Sequence, residues 1–238
     1  MTIISQLTAA NFLQQVDNTW PFAQDAQHCL LTQCTFNAEV ISPELFTLSQ
    51  LETPRGSEKR QSEFLAGRIC AAHGCKLLHN QWLYPKRNGT DRAPLWDASV
   101  TGSISHSKGK AMAVVGDAKI WQSLGLDIEH FMPLERAQRL ACEILTTREL
   151  TDWHELPESQ QAQQLTLIFS AKESLFKALN PLTEAWFGLQ DASVKIQQNC
   201  FEISLQKDLN QEWHKGQSIV GLYQLTKESV ITLVRIKR

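Results

Sequence analysis

Apolar and polar positions alternate along "SLGLDIEH", residues 123–130. Leu124, Leu126 and Ile128 hold one parity, and Gly125, Asp127 and Glu129 the other. That is the period of a half-buried strand, and it ends with two carboxylates on one face. The period lengthens in "SEKRQSEFLAGRICAAHGCKLL", which predicts a helix over 57–78 capped by Ser57. Phe64, Ile69, Ala72 and Leu77 supply its apolar face, and Lys59, Arg60 and Arg68 ride on it. "PLERAQRLACEIL" predicts an amphipathic helix from near Pro133, and "TTRELTDWHELPES" a second that ends before Pro157. The longest helical pattern is "QQAQQLTLIFSAKESLFKALN". Leu165, Ile168, Phe169, Leu175, Phe176 and Leu179 form its stripe, and it is expected to stop at Asn180-Pro181.

Strand patterns surround these helices. "TFNAEVI" predicts a strand, followed by a helix start at "SPELF" with Pro43 in the first turn. "WLYPKRNGTDRAPLW" carries a hairpin signal at Asn88-Gly89. "GSISHSKGKAMAVVG" reads as two strands around a turn with Gly109. "CFEISLQ", "SIVGLYQL" and "SVITLVRIKR" read as antiparallel strands. The fold class is α+β (mixed α/β), with a boundary near residue 120 that divides the chain into 1–120 and 121–238.

Composition narrows the classes of function. A chain of 238 residues, 42% hydrophobic, can bury one large core or two smaller ones. A net charge of −2 gives no support for nucleic-acid binding through bulk positive charge. No stretch reaches the length of a membrane span, and the N-terminus lacks the basic and apolar regions of a secretory leader, so a cytoplasmic address is expected. Six sparse cysteines suit a reducing compartment. In "CAAHGCKLLH", Cys70, His73, Cys75 and His79 raise the question of zinc. On a helix Cys70 and Cys75 stand about 140° apart, so four ligands could not converge, and buried thiols with surface imidazoles are the reading.

Three clusters carry candidate chemistry. Asp127 and Glu129, two apart on a strand, either hold one hard cation from the same side or are solvated carboxylates. In "FSAKESLFK", Glu173 and Lys177 fit an exposed i,i+4 ion pair. The interleaving of Phe169, Lys172 and Phe176 with these charges suits instead a helix facing a polar cleft. In "GSISHS", Ser105 and His106 are strand neighbours whose side chains point apart, so they do not form a nucleophile–base pair. His106 is a phosphate ligand or a satisfied polar group.

Taken in order, "SISHS", "LGLDIE" and, some forty residues later, "FSAKESLFK" resemble the phosphopantetheinyl transferases, in particular the bacterial enterobactin-synthase/surfactin type. "KRQSEFLAGR" and "RAPLW" look like the same subgroup, and the resemblance covers residues 55–180. It implies transfer of the 4′-phosphopantetheine arm of coenzyme A to a serine of an apo acyl, peptidyl or aryl carrier protein, in nonribosomal peptide or siderophore synthesis. By the same resemblance Asp127, Glu129 and Glu173 are ligands of a magnesium ion, Glu129 the least firmly. Glu173, or a metal-bound water beside it, is the base. Lys177 stabilises or protonates the reacting phosphate, and Lys172 binds the pyrophosphate. Ser105 and His106 touch the 3′-phosphate and nearby atoms of coenzyme A. Arg68 and Arg92 approach its 3′-phosphate or adenine end, as does Arg60 more weakly. The implied fold is two similar α/β halves related by a pseudo-twofold axis with the active site in the cleft between them, coenzyme A elements in the first half and magnesium and catalytic residues in the second. A monomer is expected, with no nucleic-acid or membrane partner. A magnesium-dependent phosphohydrolase acting on coenzyme A or a nucleotide, and a non-catalytic binding module, are the competing classes.

Overall fold

The computed structural model describes residues 2–87 and 93–238. The chain forms two compact units, one of residues 1–20 with 26–122 and the other of residues 21–25 with 123–238. The predicted turn at Asn88-Gly89 and the candidate Arg92 lie outside the described residues.

The first unit contains α1 (Ile3–Ala9), β1 (Leu13–Asn18), β2 (Cys29–Phe36), α2 (Pro43–Ser49), α3 (Glu58–His79), β3 (Lys86–Arg87), β4 (Pro94–Leu95), β5 (Val100–Ser107) and β6 (Lys110–Asp117). Its main sheet runs β1-β2-β6-β5, all antiparallel, and α3 lies across β2, β6 and β5. Ser57 caps α3 by accepting the Arg60 N–H. The helix buries Leu65, Ala66, Ile69, Cys70 and Ala71 against the sheet, whereas Leu77, expected on that face, is exposed. The strand expected at "TFNAEVI" is instead the end of β2 followed by a 3-10 turn over Ala38–Val40, because Asn37 accepts the Glu39 N–H and bends the chain. Cys70 and Cys75 are buried thiols, and the Cys70 Sγ–H donates to Cys34 Sγ at 3.4 Å.

The second unit contains β7 (Trp121–His130) from Ser123 onward, α4 (Leu134–Ile144), α5 (Thr147–His154), α6 (Glu158–Thr183), β8 (Ala192–Gln197), β9 (Cys200–Leu205), β10 (Ser218–Leu225) and β11 (Ser229–Lys237). The sheet order is β7-β11-β10-β9-β8. Leu165, Ile168, Leu175 and Leu179 of α6 join Phe201, Ile203 and Val234 of the sheet in one core. α6 does not stop at Asn180 but runs through Pro181 to Thr183. So near the end, proline removes a single helical hydrogen bond, and Glu184 closes the helix in the left-handed region with its N–H on the Asn180 carbonyl. Among the described residues no helix is long and apolar enough to cross a membrane.

Candidate functional site

In the first unit the charges on α3 meet β5. Arg60, Arg68, His106 and Glu63 line a cavity of about 480 Å³, together with Arg55 and Arg87. His106 and Ile104 share one face of β5, so strand alternation turns Ser105 to the other face, where it is buried and outside the cavity lining. The two side chains thus point apart, as strand alternation predicts, and only His106 lines the cavity. Arg68 is 5% exposed, with its guanidinium 4.8 Å from the Phe64 ring centre and its buried Nε without a hydrogen-bond partner among the described residues. Burial, then the charges of Arg60 and Arg87, push its pKa down to about 10. Cations held together at this cost, with a buried donor unmatched among the described residues, are the kind of group an anion would relieve. Arg55 and Arg87 were not singled out in the sequence, because nothing in their local pattern marks them as neighbours of α3.

In the second unit Asp127 is 3% exposed near the end of β7. Lys177 Nζ donates to its Oδ1 at 2.8 Å and to the Leu126 carbonyl at 3.1 Å. Ser170 Oγ donates to its Oδ2 at 2.8 Å. Behind it, Thr232 of β11 donates to the Ser170 carbonyl at 2.9 Å, and Ser174 donates to the Thr232 carbonyl at 3.1 Å. This hydroxyl ladder holds α6 against the sheet at the level of the carboxylate. Gly125 permits that approach, since a Cβ there would collide with the Ser174 carbonyl and with Ala178.

Burial pushes the Glu129 carboxyl up to about 7, and the charges of Asp127 and Glu173 add to it while Lys177 opposes. Glu173 is raised too, first by burial, with Lys177 opposing and Asp127 adding. The three carboxylates therefore share one electrostatic neighbourhood. They are not gathered as ligands: among the described residues no cluster of three acidic, histidine or cysteine groups has metal-holding geometry, and Asp127 is engaged by Lys177 and Ser170. The donor set nevertheless fits a hard divalent cation, because buried, mutually repelling oxygen donors are the groups such an ion would relieve.

Lys172 is placed otherwise than expected. It is 2% exposed, and its Nζ donates to Glu149 Oε2 at 2.7 Å and to the Ile144 carbonyl at 2.8 Å. A lysine committed to a buried carboxylate is not a pyrophosphate ligand in this arrangement. Glu149 also accepts the Thr146 and Val194 N–H groups, each at 2.7 Å. Thr146 and Glu149 form a capping box at the start of α5, and nothing local in the sequence marks its partner on α6.

Beside Glu173 lies an apolar cavity of about 310 Å³ lined by Phe176, Trp186, Phe187 and Leu189. Trp186 is 79% exposed and meets Phe176 edge-on at 5.4 Å. A further cavity, about 500 Å³ between α5, α6 and β8, is lined by none of Asp127, Glu129 or Glu173.

The chain matches a family model described as the 4′-phosphopantetheinyl transferase N-terminal domain over residues 52–116. A model of the 4′-phosphopantetheinyl transferase superfamily matches residues 123–233. It is 41% identical over 132 residues to enterobactin synthase component D of Escherichia coli K12, covering 54% of this chain and 59% of that protein. Its identity to the Salmonella typhi protein of the same name is 38% over 124 residues, 51% and 49% of the two chains. To 4′-phosphopantetheinyl transferase PptT of Mycobacterium tuberculosis it is 29% identical over 148 residues, 60% and 61% of the two. The chain thus spans less than two thirds of the length of these curated relatives. The first model takes in the arginine cavity and the second the Asp127–Lys177 pair, and the chain belongs to the 4′-phosphopantetheinyl transferase superfamily.

Proposed function

We propose that the protein transfers the 4′-phosphopantetheine arm of coenzyme A to a serine hydroxyl of an apo carrier protein, releasing adenosine 3′,5′-bisphosphate. The observation that carries this reading is the Asp127–Lys177 pair in one electrostatic neighbourhood with Glu173 and Glu129. The relatives named enterobactin synthase component D favour a carrier domain of a siderophore-type peptide synthetase as the acceptor.

Residues 1–120 bind coenzyme A in this reading, and residues 121–238 carry the chemistry. The cavity of Arg55, Arg60, Arg68 and Arg87 takes the 3′-phosphate end, with His106 at its wall.

The nucleophile comes from the carrier, so this chain needs a base. Glu173 takes the serine proton, and its burial-raised pKa makes it a stronger base than an exposed carboxylate. The serine oxygen bonds to the phosphorus of the pantetheine phosphate while the pyrophosphate P–O bond breaks. Lys177 offsets the charge that develops there. Asp127, Glu129 and Glu173 would hold a magnesium ion, which supplies neutralisation of the pyrophosphate charge. Asp127 meanwhile keeps Lys177 aimed at this corner of α6.

The test is to incubate the protein with coenzyme A, magnesium and an apo peptidyl carrier domain, then weigh the carrier. A gain of one phosphopantetheine arm, lost with EDTA and with a carrier Ser→Ala, is expected. Consumption of coenzyme A without carrier labelling would instead indicate a hydrolase. Tight coenzyme A binding without turnover on several carriers would indicate a binding module.

A further inference from the structure

Glu63 is a carboxylate placed in a cavity otherwise built for an anion. It sits one helical turn from Arg60 on α3, and the two side chains bracket one imidazole. Glu63 Oε1 is 3.5 Å from His106 Nδ1, and Arg60 Nη1 is 3.4 Å from His106 Nε2. With the Nδ1–H turned toward the carboxylate, Nε2 presents its lone pair to the Arg60 N–H. Glu63 is 13% exposed, and Lys59, 4.0 Å from it, is 79% exposed at the solvent side.

We propose that Glu63 is a positioning residue that acts through His106 to aim the Arg60 guanidinium into the arginine cavity. The inference rests on the reading of that cavity as the seat of the 3′-phosphate. A negative charge among Arg55, Arg60, Arg68 and Arg87 weakens anion binding by simple electrostatics. Its place there is explained by a relay: the Glu63 carboxylate beside Nδ1 orients the ring, and the ring accepts from the guanidinium. An arginine held in one rotamer presents its fork to phosphate with less lost freedom on binding.

The test uses two neutral replacements that remove the same charge. Glu63→Gln keeps an oxygen that can accept from Nδ1, whereas Glu63→Leu does not. Affinity for adenosine 3′,5′-bisphosphate and for adenosine 5′-diphosphate is measured by calorimetry on the full chain, with thermal unfolding checked for each variant. Glu63→Leu is expected to weaken the bisphosphate about tenfold, to leave the diphosphate within about twofold, and Glu63→Gln to bind the bisphosphate at least as well as wild type. In a His106→Ala background Glu63→Leu should no longer weaken the bisphosphate, because the relay is already cut. Bisphosphate binding by Glu63→Leu as tight as wild type, an equal loss for both nucleotides, or a loss that persists without His106 would overturn the proposal. Failure of the wild-type protein to prefer the bisphosphate would overturn the reading of the cavity itself.

Discussion

Lys172 and Glu149 are joined by a buried ion pair, Nζ to Oε2 at 2.7 Å, with side chains 1% and 6% exposed. It ties α6, one residue before Glu173, to the capping box of α5. Burial lowers the Lys172 pKa, and the Glu149 charge opposes that shift.

Removing one member of this pair leaves the other charged and unmatched. Lys172→Met is expected to cost about 3–5 kcal/mol of unfolding free energy, and Lys172→Met with Glu149→Leu clearly less, since the charge is then removed with its partner. Urea unfolding of the single and double variants measures this. A single variant within about 1 kcal/mol of wild type would show that the pair is not structural.

Gly125→Ala should destabilise the second unit, because its Cβ meets the Ser174 backbone and must push α6 away from β7. A loss of about 1–3 kcal/mol is expected. Because the same approach positions Ser170 and Lys177 on Asp127, transferase activity should fall more than stability does. The comparison is kcat at a temperature where both proteins are folded.

Glu173→Gln is nearly isosteric and should leave the fold intact while removing the proposed base. Carrier labelling should fall about 10²–10⁴-fold. Single-turnover labelling followed by mass measures it, and activity close to wild type would move the role of base elsewhere.

Magnesium added to the metal-free protein should raise its melting temperature in a concentration-dependent way, since the ion binds the folded state only. Asp127→Asn and Glu173→Gln should each reduce the rise by removing a charged donor. Equal rises in both variants and wild type would place the ion at other residues.

His73 lies against Trp82, ring centres 6.1 Å apart, and its buried Nδ1 has no hydrogen-bond partner among the described residues. Burial pushes the imidazole below its ordinary pKa. The unfolded chain then binds a proton at higher pH than the fold does. The neutral ring's stability is present above about pH 6.5 and lost as pH falls through that range. Between about pH 7.5 and 5.5, wild type should lose more melting temperature than His73→Gln. The reverse order would contradict the shift.

The reach of local pattern shows in particular residues. Alternation in "LGLDIE" placed Asp127 and Glu129 together because a strand's period is local. The helix α3 with its Ser57 cap and the last three strands are legible for the same reason. The helix expected to end at Asn180 ran on through Pro181, because one lost hydrogen bond near a helix end is easily tolerated. The resemblance implies Lys172 as a pyrophosphate ligand, yet the partner that claims it lies 23 positions away on another helix.

By itself, the order of residues determined the strand and helix periods, the carboxylates at the end of β7 and the Lys-Glu segment of α6. Periodicity and short motifs depend only on backbone geometry and neighbours a turn away. Tertiary structure alone decided that Lys172 serves Glu149, that Lys177 holds Asp127, that Ser105 faces away from the arginine cavity, and that Glu63 grips His106. Each of those is a choice of partner between side chains distant in the chain. Burial decides them, because a charge taken out of water must find its counterpart wherever packing brings one.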